Sequence, residues 1–184
     1  MCALNQSQEY IVLGNVAAIW GLSGICLILG SAIYRLSGIA LETFSVSLLW
    51  YHWVALVVSV LFMGFAEGYR GFQQAWSPRV AARVLFLSGN VSPLRFLLAP
   101  LFCMGFFAIK RRRMIVTYCL TGGIICMVLL VHQLSQPWRG IIDLGVVTGL
   151  IWGMASLLVF VWQAFFGQDF NHSPEMPDGA VEAS

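Results

Sequence analysis

The sequence predicts an all-α fold: a polytopic membrane helical bundle of five hydrophobic helices, the third short and either re-entrant or spanning, with one basic amphipathic helix at the interface. Three observations predict it. Hydrophobic residues make up 59% of the 184-residue chain and charged residues only 10%, against about 25% charged in soluble domains. So few charges do not furnish a water-facing surface. Four apolar stretches, 11–33, 46–66, 114–131 and 141–166, each reach the ~17–20 residues that a crossing requires. None holds Asp, Glu, Lys or Arg near its middle, so no buried charge opposes insertion.

The first run, 11–33, exceeds the ~7–15-residue core of a cleavable signal and lacks a basic flank before it, so it reads as a helix that stays. Gly14 with Ala18, Ala17 with Gly21, and further along Cys119 with Gly123, carry a small-xxx-small pattern that lets backbones approach closely. The second run, 46–66, extends further. Phe65, Tyr69, Phe72 and Trp76 recur at i, i+4, i+7 and i+11, one face of an α-helix. The helix is therefore expected to continue to Trp76, with any bend at Gly68 or Gly71.

Ser77-Pro78 restarts a helix. Val80, Val84 and Leu87 share one face, and Arg79 and Arg83 lie four apart on another, the pattern of a basic helix lying in the headgroup plane. The third apolar segment, 93–109, opens with Ser92-Pro93, a capping hydroxyl followed by proline at the first helical position. Seventeen helical residues reach roughly 25 Å, and Pro100 removes a backbone donor in the middle. That length suits a dip as well as a crossing.

Lys110-Arg111-Arg112-Arg113 is the dominant topological signal and belongs on the cytoplasmic side. With five crossings, basic residues divide evenly between the two sides. If 93–109 dips and returns, Arg70, Arg79, Arg83, Arg95 and the cluster lie inside, and only Arg35 and Arg139 outside. The charge bias favours the dip. Residues 1–166 are expected to form one membrane-embedded helical domain. Residues 167–184 carry Asp169, Glu175, Asp178, Glu182, Pro174 and Pro177 with no basic residue, and are expected to be a disordered acidic tail.

Packing is the first candidate for function. Gly145, Gly149 and Gly153 form a GxxxGxxxG run that keeps three glycines on one face for close approach, within the chain or to another subunit. His52 and His132 are the second: on facing helices they would hold a haem between two axial ligands. His52, however, sits in Trp50-Tyr51-His52-Trp53, which reads first as an interfacial aromatic belt. Glu67 and Arg70 have the i, i+3 spacing of an ion pair, as a helix-exit pair or part of a polar site. Arg139 and Asp143 have i, i+4 spacing at the start of the last helix, the pattern of an anchored terminus.

The five cysteines form no CxxC pair and no disulfide or zinc spacing. No P-loop, HExxH or GxSxG motif is present, and no ionisable group lies mid-span, where ion-coupled transporters place one. Neither catalysis nor a nucleic-acid partner is expected, and no metal or cofactor apart from the haem reading. The expectation is a non-catalytic scaffold, assembly factor or subunit of a membrane complex, in contact with lipid and with a membrane-protein partner or a second copy. A small transporter or channel component for a lipid or amphipathic solute is the alternative, and a bis-histidine electron-transfer subunit the third. A bacterial inner membrane is the expected home, an organelle membrane the other possibility.

Overall fold

The computed structural model describes residues 2–167 and 170–175, and for residues 2–11 the backbone alone. Among the described residues every regular element is helical. Helix α1 spans Cys2–Glu42 and ends in a 3₁₀ turn, Thr43–Ser45. A continuous helical run follows over Trp50–Gly89, made of α2 (Trp50–Met63), a π-helical stretch (Gly64–Trp76) and α3 (Ser77–Gly89). Two short helices come next, α4 (Pro93–Leu97) and α5 (Ala99–Met104). The chain ends in α6 (Arg111–His132) and α7 (Trp138–Phe166).

Four helical runs are long and apolar enough to cross a membrane: Val12–Ser45, Trp50–Gly89, Arg111–His132 and Trp138–Phe166. The third apolar segment is not a fifth long helix. It is broken into five and six residues, each piece roughly 10 Å or less in length. Ser92 caps α4 as its hydroxyl predicts, accepting from the Arg95 amide at 3.3 Å. The break falls at Leu98, immediately before Ala99-Pro100, where proline has no amide to continue the ladder. Helix α5 closes on Gly105 at φ 85°. There the Phe106 amide bonds Leu101 O and the Gly105 amide bonds Phe102 O, a Schellman ending that requires a residue free to adopt positive φ.

The chain divides into two compact units. Of the described residues, one holds those up to Leu27, Pro78–Tyr118, and those from Leu158 to Glu175. The other holds Ile28–Ser77 and Cys119–Leu157. In the first, the small residues of α1 make the close contacts. Gly14, Ala17, Ala18 and Gly21 are buried; a methyl group on Gly14 would strike the Ser88 backbone, and one on Gly21 would meet Cys103 Sγ at 3.0 Å. Val80, Ala81, Ala82, Val84 and Leu87 of α3 are buried, as are Ala99, Phe102 and Cys103 of α5.

In the second unit, the π-helical stretch decides which residues face α7. Ser59, Met63, Glu67, Phe72 and Ser77 approach Ile141, Gly145, Gly149, Gly153 and Ser156 in turn. On α7 the glycines advance by four. On the partner run the step is four up to Glu67 and five thereafter, because i→i+5 bonding widens the turn. The single aromatic face read at α-helical spacing is therefore split. Phe65 and Tyr69 stack on each other at 5.8 Å and are exposed, whereas Phe72 and Trp76 meet edge-on at 5.3 Å and are half-buried.

Ser77–Gly89 is the continuation of this run rather than a separate helix, and Arg83 is buried within the first unit, 2% exposed. The amphipathic pattern is real, but its polar side has a protein partner. Of the tail, residues 170–175 are described, without helix, and carry contacts given below. Residues 168, 169 and 176–184, with the expectation of disorder there, lie outside the described residues.

Candidate functional site

The glycine run in α7 is filled by the chain itself. A methyl on Gly145 would stand 2.5 Å from Ser59 Oγ and 3.0 Å from the Ser59 carbonyl. On Gly149 it would stand 3.2 Å from Glu67 Cβ, and on Gly153 2.5 Å from the Phe72 ring. Hydrogen bonds flank the seam. The Ser59 hydroxyl donates to Ile141 O at 3.1 Å, the Trp152 indole donates to Gln73 Oε1 at 2.8 Å, and Ser77 and Ser156 share a bond of 2.8 Å.

Glu67 and Arg70 do not pair with each other. Glu67 is half-buried against Gly149 and Arg70 is exposed. In a π-helical turn three residues fall well short of one revolution, so the i, i+3 geometry that would join them in an α-helix is lost. Arg139 and Asp143 do pair, Nε to Oδ2 at 3.9 Å. Asp143 is buried, and its Oδ2 makes no hydrogen bond.

The histidines have local partners. His52 is buried; its Nδ1 accepts from the Leu49 amide at 3.1 Å, and its ring packs edge-on against Trp138 at 5.2 Å. With Tyr51 stacked on Trp138 at 6.4 Å, this is an aromatic cluster. His132 Nδ1 lies 3.0 Å from an Arg139 guanidinium nitrogen. Among the described residues no group of three or more His, Cys, Asp or Glu converges as a metal site would require.

Two features escaped the sequence, and a third was legible only as the Cys119–Gly123 spacing. The first is a polar knot in the second unit. Gln136 Oε1 accepts from the Thr43 hydroxyl at 3.1 Å and from the Gly140 amide at 3.3 Å, while its Nε2 donates to Ile39 O at 3.2 Å. Glycine at position 140 is required because a methyl there would overlap the Thr43 hydroxyl. No motif announces a lone Gln before proline.

The second is an arginine centre in the first unit. Arg83 Nη1 donates to Phe102 O at 2.5 Å and Phe107 O at 3.3 Å. Its Nη2 donates to Ala108 O at 2.7 Å, and its Nε to Pro174 O at 3.0 Å. The guanidinium also lies 4.8 Å from the Phe102 ring centroid. Arg83 thus ties the end of α5, the turn after it and the tail to α3. Ala108 is held at φ 52°, a left-handed conformation that costs a non-glycine residue about 1–3 kcal/mol. Beside this centre, Glu175 lies 3.1 Å from Arg113 Nε and 4.0 Å from Arg79 Nη1, and its carbonyl accepts from the Lys110 amide at 3.3 Å. The i, i+4 spacing of Arg79 and Arg83 was the only sequence signal, and it gave no hint that segments 102–108 and 174–175 would meet it.

The third is the open face of α6. No residue of this 22-residue helix is buried. Cys119, Gly122, Gly123 and Cys126 recur at i, i+3, i+4 and i+7, which places them on one side. Both cysteines are exposed, and among the described residues a methyl on either glycine would meet nothing within 4 Å.

Compared with protein-family models, curated proteins and solved structures, the chain matches none.

Proposed function

We propose that this chain is a non-catalytic subunit of a membrane complex, and that α6 is the helix its partner covers. One observation carries this reading: an apolar helix of membrane-crossing length presents two glycines and two cysteines on one face, with no side chain of the described residues against the glycines. In lipid, helices gain little by hydrophobic burial and associate where small residues let backbones meet. The glycines of α7 already meet their own chain, so contact with another subunit, the alternative reading of that run, passes to α6.

The topology proposed with it has four crossings, segment 93–109 returning to the side it left, and Lys110–Arg113 cytoplasmic. Two things support it. Residues 78–118 fall in one unit together with the first part of α1 and the end of α7. The returning arrangement also leaves only Arg35 and Arg139 on the opposite side. Asn90→Cys and Arg112→Cys, each in a background lacking other cysteines, are then expected to label from the same side of sealed vesicles; labelling from opposite sides refutes this topology.

Association is tested with the native thiols. Oxidation in membranes is expected to trap Cys119 or Cys126 in a disulfide-linked species, or, where the partner lacks a facing thiol, a short bifunctional maleimide traps the pair. Gly123→Leu abolishes that species and lowers the assembled mass in mild detergent without unfolding the chain. An assembled mass unaltered by Gly123→Leu removes α6 as the interface.

A further inference from the structure

We propose that the Glu67 carboxyl binds a small monovalent cation, a proton or a sodium ion, within the membrane. The sequence places Glu67 where the second apolar run leaves lipid. That run is continuous from Trp50 to Gly89, far longer than a crossing requires, so position along it does not fix depth. The helix opposite does. A methyl on Gly149 of α7 would stand 3.2 Å from Glu67 Cβ and 3.3 Å from its Oε2. Gly149 lies eleven residues after Trp138 and seventeen before Phe166, the ends of α7, or roughly 16 Å and 26 Å along the helix. A hydrocarbon core about 30 Å thick leaves about 13 Å of this helix outside it. Both distances exceed that, so Gly149 and the carboxyl against it lie inside the core wherever the core falls on α7.

Ionised side chains at that depth are costly and are found paired or lining an ion path. Here the chain supplies no counter-charge. Among the described residues Glu67 has no hydrogen-bond or ion-pair partner. Arg70, on the same run, is exposed. From Leu144 to Phe166, α7 carries no titratable residue. Its polar groups beside Gly149 are engaged elsewhere: the Thr148 hydroxyl donates to Leu144 O at 2.9 Å and the Trp152 indole to Gln73 Oε1 at 2.8 Å. The π-helical stretch nevertheless keeps Glu67 on the facing side between Met63 and Phe72, and Gly149 leaves room for it. A bound cation neutralises the carboxylate without a protein partner. The Met63 carbonyl borders the same gap, 3.4 Å from the methyl position on Gly149, and offers a second oxygen. Glu67 is half-buried, so the site is partly open to exchange.

The test uses the full chain in phosphatidylcholine nanodiscs and dicyclohexylcarbodiimide, which adds to a protonated carboxyl in apolar surroundings and stays there as an N-acylurea, with no group lost. Mass spectrometry of the intact and fragmented chain locates the adduct. Glu67 is expected to be modified in the natural chain, and Glu67→Gln to carry no adduct in that segment. Raising the pH is expected to slow the modification, towards about tenfold per pH unit where the carboxylate form dominates. At fixed pH, sodium chloride and potassium chloride are compared. Protection by sodium but not by potassium assigns the site to sodium, and no protection by either assigns it to a proton. Should Glu67→Gln fail to fold, the natural chain still decides, because the modified residue is read directly. An unmodified Glu67 at every pH, or a modification rate indifferent to both pH and sodium, overturns the proposal.

Discussion

Helices α6 and α7 both carry small residues four apart, Cys119-Gly123 and Gly122-Cys126 in one and Gly145, Gly149 and Gly153 in the other, and these meet opposite fates. In α7, Gly145, Gly149 and Gly153 lie against Ser59, Glu67 and Phe72, so closely that an added methyl would stand 2.5–3.2 Å from them. In α6, Gly122 and Gly123 face nothing within 4 Å among the described residues. The difference is not in the motif. It lies in the run opposite α7, where the π-helical stretch shifts the step from four residues to five and keeps Glu67, Phe72 and Ser77 on the facing side. Small residues permit close approach, but a partner with matching register decides whether it occurs.

The largest expected effect comes from breaking the closed face. Gly145→Leu drives a side chain into Ser59 Oγ at 2.5 Å and the Ser59 carbonyl at 3.0 Å. Overpacking of this kind costs about 1–3 kcal/mol or more. Thermal or denaturing-detergent unfolding is expected to show a clear loss of stability. Gly153→Leu, aimed at the Phe72 ring, is expected to fall in the same range. If both variants unfold like the natural chain, the α7 seam does not have the packing described.

The cysteines repeat the contrast at a smaller scale. Cys119 and Cys126 are exposed on α6, whereas Cys103 is fully buried. Burial pushes the Cys103 thiol up to about 12, against an opposing pull from Arg83. A raised thiol pKa means that the folded state keeps its proton after the unfolded chain begins to lose it near pH 9. Stability associated with this group is therefore intact below pH 9 and declines from there towards pH 12. Cys103→Ala is expected to flatten that alkaline decline; an equally steep decline in the variant assigns the effect elsewhere. At pH 8 the folded Cys103 is expected to resist alkylation until the chain is denatured.

Ser59→Ala gives the next smaller step. Its hydroxyl donates to Ile141 O beside Gly145, and interhelical hydrogen bonds in membrane proteins average about 0.6 kcal/mol. A stability loss of that order is expected. A loss as large as that of Gly145→Leu would mean the seam depends on the hydrogen bond rather than on packing.

Much of the fold was legible because lipid imposes simple rules. Apolar length marked the four long helical runs, and Ser92-Pro93 marked the start of α4. The glycine spacing of α7 suggested close packing, and Ser59, Glu67 and Phe72 stand against it, partners that the spacing did not identify. What stayed hidden depends on contacts between segments far apart in sequence. Arg83 reads as a surface charge until Phe102, Phe107, Ala108 and Pro174 turn their carbonyls towards it. Periodicity assumes α-helical spacing, so the π-helical stretch made both the Phe65–Trp76 face and the Glu67–Arg70 pair look continuous when neither is. Glu175 was read as part of an acidic tail because composition does not register one carboxylate near two distant arginines.

The smallest effect on stability is the most informative about function. Gly123→Leu adds a side chain where a methyl would meet nothing within 4 Å. Leucine is also a better helix former than glycine, by about 0.8–1.0 kcal/mol in soluble hosts. The unfolding midpoint is therefore expected to stay level or rise slightly, opposite in sign to Gly145→Leu. If α6 is the partner-bearing helix, the same substitution reduces the assembled mass and the yield of Cys119 or Cys126 crosslinks, because a bulky side chain now holds the partner backbone away. Unchanged stability with lost association separates an interface from a structural seam. Lost stability would show that α6 packs against its own chain, and unchanged association would return its glycines to the lipid.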